Sequence, residues 1–253
     1  MRAPLRLATA SPKPKSIVFN GINGYINLPI VTSGGSTTIF TYSIWFKSLI
    51  VITDSLQMLQ VINAPTNTQF LFLETTLAGD RFGVGQDFGT VDWQEFVSPL
   101  TPDVLKDVWE HWVVQFDSTQ GVADNRMKFY RNGVFLADTD ATSLAPGPSE
   151  AHILFQNGFS HQIGGYTDTG YYGKYKAAFI EVLDGVSADA NSFGFTSGGV
   201  WIRKPYTGSY GKYGFRLDGT RGFSDASGNG QNFTGVNMSE SDLDSSDLPP
   251  YVS

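Results

Sequence analysis

The stretches WEHWVVQF at 109–116 and MKFYRNGVFLAD at 127–138 decide the fold. In the second, Asn132-Gly133 stands between two alternating runs and supplies the positive φ angles of a type I′ turn, so the segment predicts a two-residue β-hairpin. In the first, Trp112, Val114 and Phe116 alternate with His111, Val113 and Gln115, the period of a strand beside that hairpin. Upstream, FTYSIWFKS at 40–48 repeats the pattern, with Phe40, Tyr42, Ile44 and Phe46 on one face and Thr41, Ser43 and Trp45 on the other. Phe40, Ile44, Phe46, Trp112, Val114 and Phe116 are therefore the expected core between two sheets.

Working outward, SIVFNG (16–21) and YINLP (25–29) read as two strands around glycine turns, the second ending where Pro29 cannot donate to a ladder. LQMLQVINA (56–64), QFLFLETT (69–76) and RFGVGQ (81–86) add three more. The less regular span 86–107 carries Pro99 and Pro102, with a brief helical turn expected at 102–105. KYKAAFIEVLDG (174–185) supplies the strand expected to close the sandwich. Beyond it the chain turns polar and rich in Gly and Ser. Residues 1–15 carry four basic residues and no acid, whereas Glu240, Asp242, Asp244 and Asp247 stand near the other end without a base. Both ends hold too little apolar surface to offset the entropy of ordering, so they read as arms that order against neighbouring subunits.

The 253 residues suit one all-β domain, and 28 glycines with 12 prolines suit many short strands rather than a helical bundle. A net charge of −7 disfavours nucleic acid and anionic lipid as partners, because both need clustered Lys and Arg. No apolar run approaches the roughly 20 residues of a spanning helix. Prolines and Arg6 interrupt any signal-peptide core at the start. Zero cysteines exclude disulfides and thiolate metal sites.

Catalytic patterns are missing. His111, His152 and His161 are scattered without a metal-binding spacing and read as structural, and no serine lies in a G-x-S-x-G setting. Glu181 and Asp184, in EVLDG, are three apart and face opposite sides of a continuing strand, which does not suit two-carboxylate sugar hydrolysis. GGYTDTGYYGKY at 164–175 is better suited to recognition. Tyr166, Tyr171 and Tyr172 offer rings for stacking on a sugar and Asp168 an acceptor for its hydroxyls, although such a loop serves protein contacts equally well. Asp124-Asn125 and DASGNG (225–230) offer oxygen ligands for Ca2+ but lack the order of a defined calcium loop, and DASGNG reads better as Asx turns.

FNGINGYINLP (19–29), FTYSIWFKS, the 109–138 segment and HQIGGY (161–166), in that order, resemble the laminin-G-like, concanavalin-A-like family. The resemblance implies an antiparallel β-sandwich jelly roll over 16–187 with extended terminal arms, used mainly to hold glycans or proteins. The family includes glucanases built on E-x-D-x-E, a motif this chain lacks. LDGVSADANSFG (183–194), GVWIRKPYTGSYGKYGF (199–215) and DASGNGQNFTG (225–235) resemble the C-terminal part of bacteriophage virion proteins with the same sandwich. The expected organisation is thus a basic arm (1–15), the jelly roll (16–187) and a phage-type extension with acidic tail (188–253). Together these imply a non-enzymatic virion protein, displayed on capsid or tail and assembled in the host cytoplasm. Its expected partners are other virion proteins, further copies of itself and possible host-surface glycan, without cofactor, nucleic acid or membrane. The competing readings are a glycan-binding tail adhesin and, less favoured, a polysaccharide depolymerase.

Overall fold

The computed structural model describes residues 12–29, 34–52, 56–63, 67–76, 79–87, 94–98, 104–136, 146–152, 154–166 and 170–251. The chain opens with β1 (Ser16–Asn20) and β2 (Tyr25–Leu28), joined by a turn in which Asn20 Oδ1 accepts the Ile22, Asn23 and Gly24 amides. The long alternating strand β3 (Ile39–Ser48) follows, then β4 (Leu56–Asn63), β5 (Asn67–Thr76), β6 (Gly79–Asp87) and β7 (Gln94–Val97) as a meander. Next come β8 (Glu110–Asp117), β9 (Met127–Arg131) and β10 (Val134–Phe135). The expected turn between β9 and β10 is formed, with Asn132 at φ 49° and Gly133 at φ 79°. Of the helical turn expected at 102–105, residues 102 and 103 lie outside the described residues, and Val104 and Leu105 are irregular.

Downstream are β11 (Ser160–Ile163), the short hairpin β12 (Gly165–Tyr166) and β13 (Tyr171–Tyr172), and the eleven-residue β14 (Lys174–Asp184). The remaining chain adds β15 (Gly194–Ser197), β16 (Val200–Arg203), β17 (Phe215–Leu217), β18 (Thr234–Val236) and β19 (Leu243–Asp244). Two large antiparallel sheets face each other. The first runs β10-β9-β8-β3-β14-β1-β19 with β17 also on β14, and the second runs β18-β2-β11-β4-β5-β6-β7. All six residues expected in the core are buried between them, together with Phe19, Tyr42, Phe82 and Tyr175. The protein is an all-β sandwich of jelly-roll type.

β14, the strand expected to close the sandwich, lies inside its sheet, between β3 and β1. Its continuous burial marks a strand covered on both faces, the composition of a central position. Phe179 sits at φ 48° in a bulge between Ala178 and Glu181. The extra residue lets Ala178 and Phe179 share the outer apolar cluster while Ala177 and Ile180 both join the core. The bulge also lets the strand change partners, from β1 at its first half to β17 at Ile180–Val182.

The acidic tail corrects the expectation of a neighbour-ordered arm. β19 pairs with β1, and β18 with β2, so the end of the chain extends both sheets. Asp247 accepts from Lys47 Nζ at 2.8 Å, Lys176 Nζ at 2.7 Å and the Trp109 indole at 2.8 Å, while Asp244 takes Lys176 at 2.7 Å. Both lysines are mostly shielded, so these pairs are worth more than surface ion pairs. Ser239 and Asp242 form a capping box that directs the chain into β19. The tail's charge is thus complementary to two lysines of its own sandwich, which composition within the tail alone does not reveal. Of the basic arm, residues 1–11 lie outside the described residues, and Lys15 donates its amide to Asp218.

Deleting everything after Asn237 is therefore expected to lower the thermal midpoint by about 5–10 °C, taking roughly 2–3 kcal/mol for the lost strand and ion pairs. Differential scanning fluorimetry at low and high salt checks this, with the gap between full and truncated chain narrowing as salt screens the lysine–aspartate pairs. An unchanged midpoint contradicts it.

Candidate functional site

The outer face of the first sheet is unusually apolar for a face that could meet water. Val113 on β8, Trp45 on β3 and Ala178 and Leu183 on β14 all point away from the core, and all are buried. Residues 186–210 cover them. Ala188, Ala190 and Phe193 pack against Val113 and Leu183, while Trp201 reaches both outer clusters. A Cβ at Gly133 would overlap the Trp201 ring, so the I′ turn glycine serves both its φ and the seating of this indole.

Within this covered face lies a Ser–His pair, invisible in sequence because its members are 68 residues apart. Ser43 Oγ and His111 Nε2 are 2.9 Å apart and buried. Its chemistry is settled by the third partner. The Trp201 indole N–H can only donate, and it meets His111 Nδ1 at 3.0 Å, so Nδ1 is the acceptor and Nε2 carries the proton. A neutral imidazole already protonated toward Ser43 cannot take the serine proton, so the pair is not a nucleophile with its base. Burial pushes the His111 pKa down to about 3, and the ring stacks against Trp45 at 4.9 Å. His152 and His161 are likewise buried, with pKa values pushed down to about 3 chiefly by burial. Both rings are enclosed by aromatic neighbours, His152 by Phe40 and Phe116 and His161 by Phe155.

The carboxylates are also committed. Glu181 points to the covered outer face, where Tyr210 Oη donates to it at 2.9 Å and Arg203 and Arg216 supply positive charge. Burial outweighs these and raises its pKa to about 7. Asp184 accepts the amides of Ser36 at 2.7 Å and Tyr213 at 3.1 Å. Asp225, in DASGNG, accepts the Arg216 and Ser227 amides on Oδ1, and the Ser227 hydroxyl and the Gly230 amide on Oδ2. That saturation is the Asx-turn reading of this loop. Asp124 and Asn125 occupy an exposed 3-10 turn, and no cluster of three or more metal-ligating side chains occurs among the described residues.

The tyrosine segment folds as a separate hairpin, with Tyr166 opposite Tyr171 and Gly165 opposite Tyr172. Tyr172 is half-buried and its ring lies 6.4 Å from Tyr25, a neighbour the sequence reading did not single out. Gly165 leaves room for the Tyr172 ring. Asp168 lies outside the described residues, as do the side chains of Tyr166 and Tyr171. The only signal for Tyr25 was its place at the start of YINLP, beside the glycine turn.

With this geometry in place, a family comparison gives the class. Residues 20–174 match the family Laminin_G_3, described as the concanavalin A-like lectin/glucanases superfamily, and the chain belongs to it. Among solved structures it is similar to the native heptameric SAP-like pentraxin from Limulus polyphemus, at 12% identity and TM-score 0.48, covering 69% of this chain and 78% of that one. It is also similar to domain 4 of the extracellular arabinanase AbnA from Geobacillus stearothermophilus in complex with arabinotriose, at 17% identity and TM-score 0.43, covering 68% and 71%. A third is the enzymatically active domain of tailspike protein 2 of bacteriophage CBA120, at 10% identity and TM-score 0.42, covering 74% of this chain and 30% of that one. No curated protein matches the chain significantly in sequence.

A carboxyl group whose folded pKa is raised holds its proton in the fold after the unfolded chain has lost it. For Glu181, stability therefore falls as pH rises from about 4.5 to about 7. Glu181→Gln, which keeps an acceptor for Tyr210, is expected to stabilise the protein near pH 8, by at most about 3 kcal/mol, with the gain vanishing near pH 4. The histidines have the opposite sign: neutral in the fold, they favour unfolding as pH drops below about 6.5. Melting curves of both proteins from about pH 4 to 8 check this, and a variant less stable at high pH than at low pH, relative to the parent, contradicts it.

Proposed function

We propose that this protein is a non-catalytic structural component of a bacteriophage particle, a jelly roll displayed on the capsid or tail for attachment or decoration. The observation that carries the reading is the way the C-terminal segment is used. The stretch whose sequence resembles phage virion proteins supplies β17 and β18 and roofs the outer face of the first sheet. It is packed into the domain rather than trailing from it as a linker, which supports this reading.

Two further facts support a role without chemistry. The Ser43–His111 pair has the wrong proton arrangement for nucleophilic attack, and Glu181 and Asp184 face opposite sides of β14 and are held by structural donors. The lack of cysteine suits a chain that folds in a reducing host cytoplasm before the particle is released. Host-surface glycan is the second reading, favoured by the aromatic pair Tyr25–Tyr172 beside the tyrosine hairpin. Neighbouring virion proteins and further copies of this chain are the proposed partners.

Quantitative mass spectrometry of purified particles tests the first reading: hundreds of copies indicate capsid decoration, a handful a tail adhesin, and absence contradicts it. For the second, glycan-array binding is expected to drop in Tyr172→Ala. The purified protein is expected to release no reducing ends from host polysaccharide, and release abolished by Glu181→Gln would overturn the non-catalytic assignment.

A further inference from the structure

After β14 the chain crosses the outer face, turns at Ala190–Ser192, forms the β15–β16 hairpin and returns through 204–210 beside that turn. Between the outgoing turn and the returning loop lies a cavity of about 350 Å³, lined by Asp189, Asn191, Ser192, Lys204, Tyr206 and Thr207. It belongs neither to the jelly-roll core nor to the tyrosine hairpin.

The walls are pre-set. The Lys204 amide donates to the Phe193 carbonyl at 2.9 Å, which ties the two passes of chain together. The Tyr206 ring stacks on Phe193 at 5.1 Å, meets Tyr210 edge-on at 5.2 Å, and its hydroxyl donates to the Ser209 carbonyl at 3.0 Å. A ring held at three points loses little freedom when a ligand arrives. The polar groups around it are not consumed by one another. Asp189 meets Asn191 Nδ2 at 3.4 Å and Ser192 Oγ at 3.5 Å, the outer limit of hydrogen bonding. Lys204 forms no ion pair among the described residues, although acids outnumber bases in the chain by 24 to 17.

That lining selects a chemistry. A carboxylate, an amide and two hydroxyls around a half-buried tyrosine match the closely spaced hydroxyls of a sugar ring. The unpaired ammonium adds a place for one anionic group, which a neutral sugar leaves unused. A phosphate dianion would set two negative charges beside Asp189, whereas a single carboxylate can sit at Lys204 with the hydroxyls turned to Asp189. The volume is near the low end of the roughly 300–1,000 Å³ of small-molecule sites, enough for one sugar and too little for a chain. Asn191, Lys204 and Thr207 are exposed and leave the rim open to a terminal residue.

We propose that this pocket binds the terminal uronic acid of an acidic glycan, with Lys204 on the carboxylate and Asp189 and Asn191 on ring hydroxyls. The inference rests on the glycan-recognition reading of the domain and adds to the tyrosine hairpin a second, separate contact in the C-terminal segment, which takes the acidic sugar. Titrations of the full chain with D-glucuronic acid and with methyl glucoside, followed by NMR, test it. Glucuronate is expected to shift the amide signals around 189–192 and 204–208, and to bind about tenfold or more weakly to Lys204→Gln and Asp189→Asn. Tyr172→Ala should bind as the parent does. Thr207→Ala, at an exposed position, serves if either charged variant melts early. Equal binding of methyl glucoside, loss of binding in Tyr172→Ala with the pocket variants unaffected, or no shifts at all would overturn the proposal. Loss in Tyr172→Ala alone would leave the glycan reading standing and refute only this pocket, while particle composition tests the virion reading independently.

Discussion

The rest of the structure depends on the covering of one sheet face. A sandwich with one wet face alternates apolar and polar residues along each strand, but β3, β8 and β14 carry apolar side chains on both sides. Trp45, Val113 and Leu183 left in water would give this face a large exposed apolar surface. Residues 186–210 remove it by laying Phe193, Trp201 and their neighbours across the sheet. Trp201 is the centre of this contact. It seats on the Gly133 turn and donates to His111, so a turn, a buried histidine and the covering segment share one side chain.

Covering the face also decides what the polar groups beneath it can do. Ser43 and His111 have the distance of a catalytic pair, and Glu181 the raised pKa of a general acid. Yet Trp201 fixes the imidazole in the unproductive tautomer, and Tyr210 with two arginines encloses the carboxyl. Perturbed titration here follows from burial in a structural interface, which is the common alternative to a functional site. The segment that stabilises the sandwich thus also encloses the Ser43–His111 pair and Glu181.

Much of the sandwich was legible in the chain. Period-two alternation placed β3 and β8, Asn132-Gly133 placed the turn, and every named core residue is buried. The covering contact was not read, although its signal was present: Trp45 and Val113 stand at positions a wet face would fill with polar residues. The tail was misread because its acids were weighed within the tail, whereas Lys47 and Lys176, some 200 and 71 residues away from Asp247, are the groups that hold it. Long-range pairs of this kind leave no local pattern. Of the candidate tyrosine hairpin, Tyr172 was singled out by composition, and its neighbour Tyr25 became visible only through the fold.

The central claim is that the C-terminal segment and the jelly roll form one cooperative unit. Hydrogen exchange followed by mass spectrometry on the intact chain measures this directly, because amides in one unit open together with the same free energy. Peptides spanning 194–203 and 215–217 are expected to be protected to the same degree as those spanning 40–48 and 110–117, and to lose protection in step with them as denaturant is added. Exchange of the C-terminal peptides orders of magnitude faster than the strands they cover, with the sandwich still protected, would contradict the account.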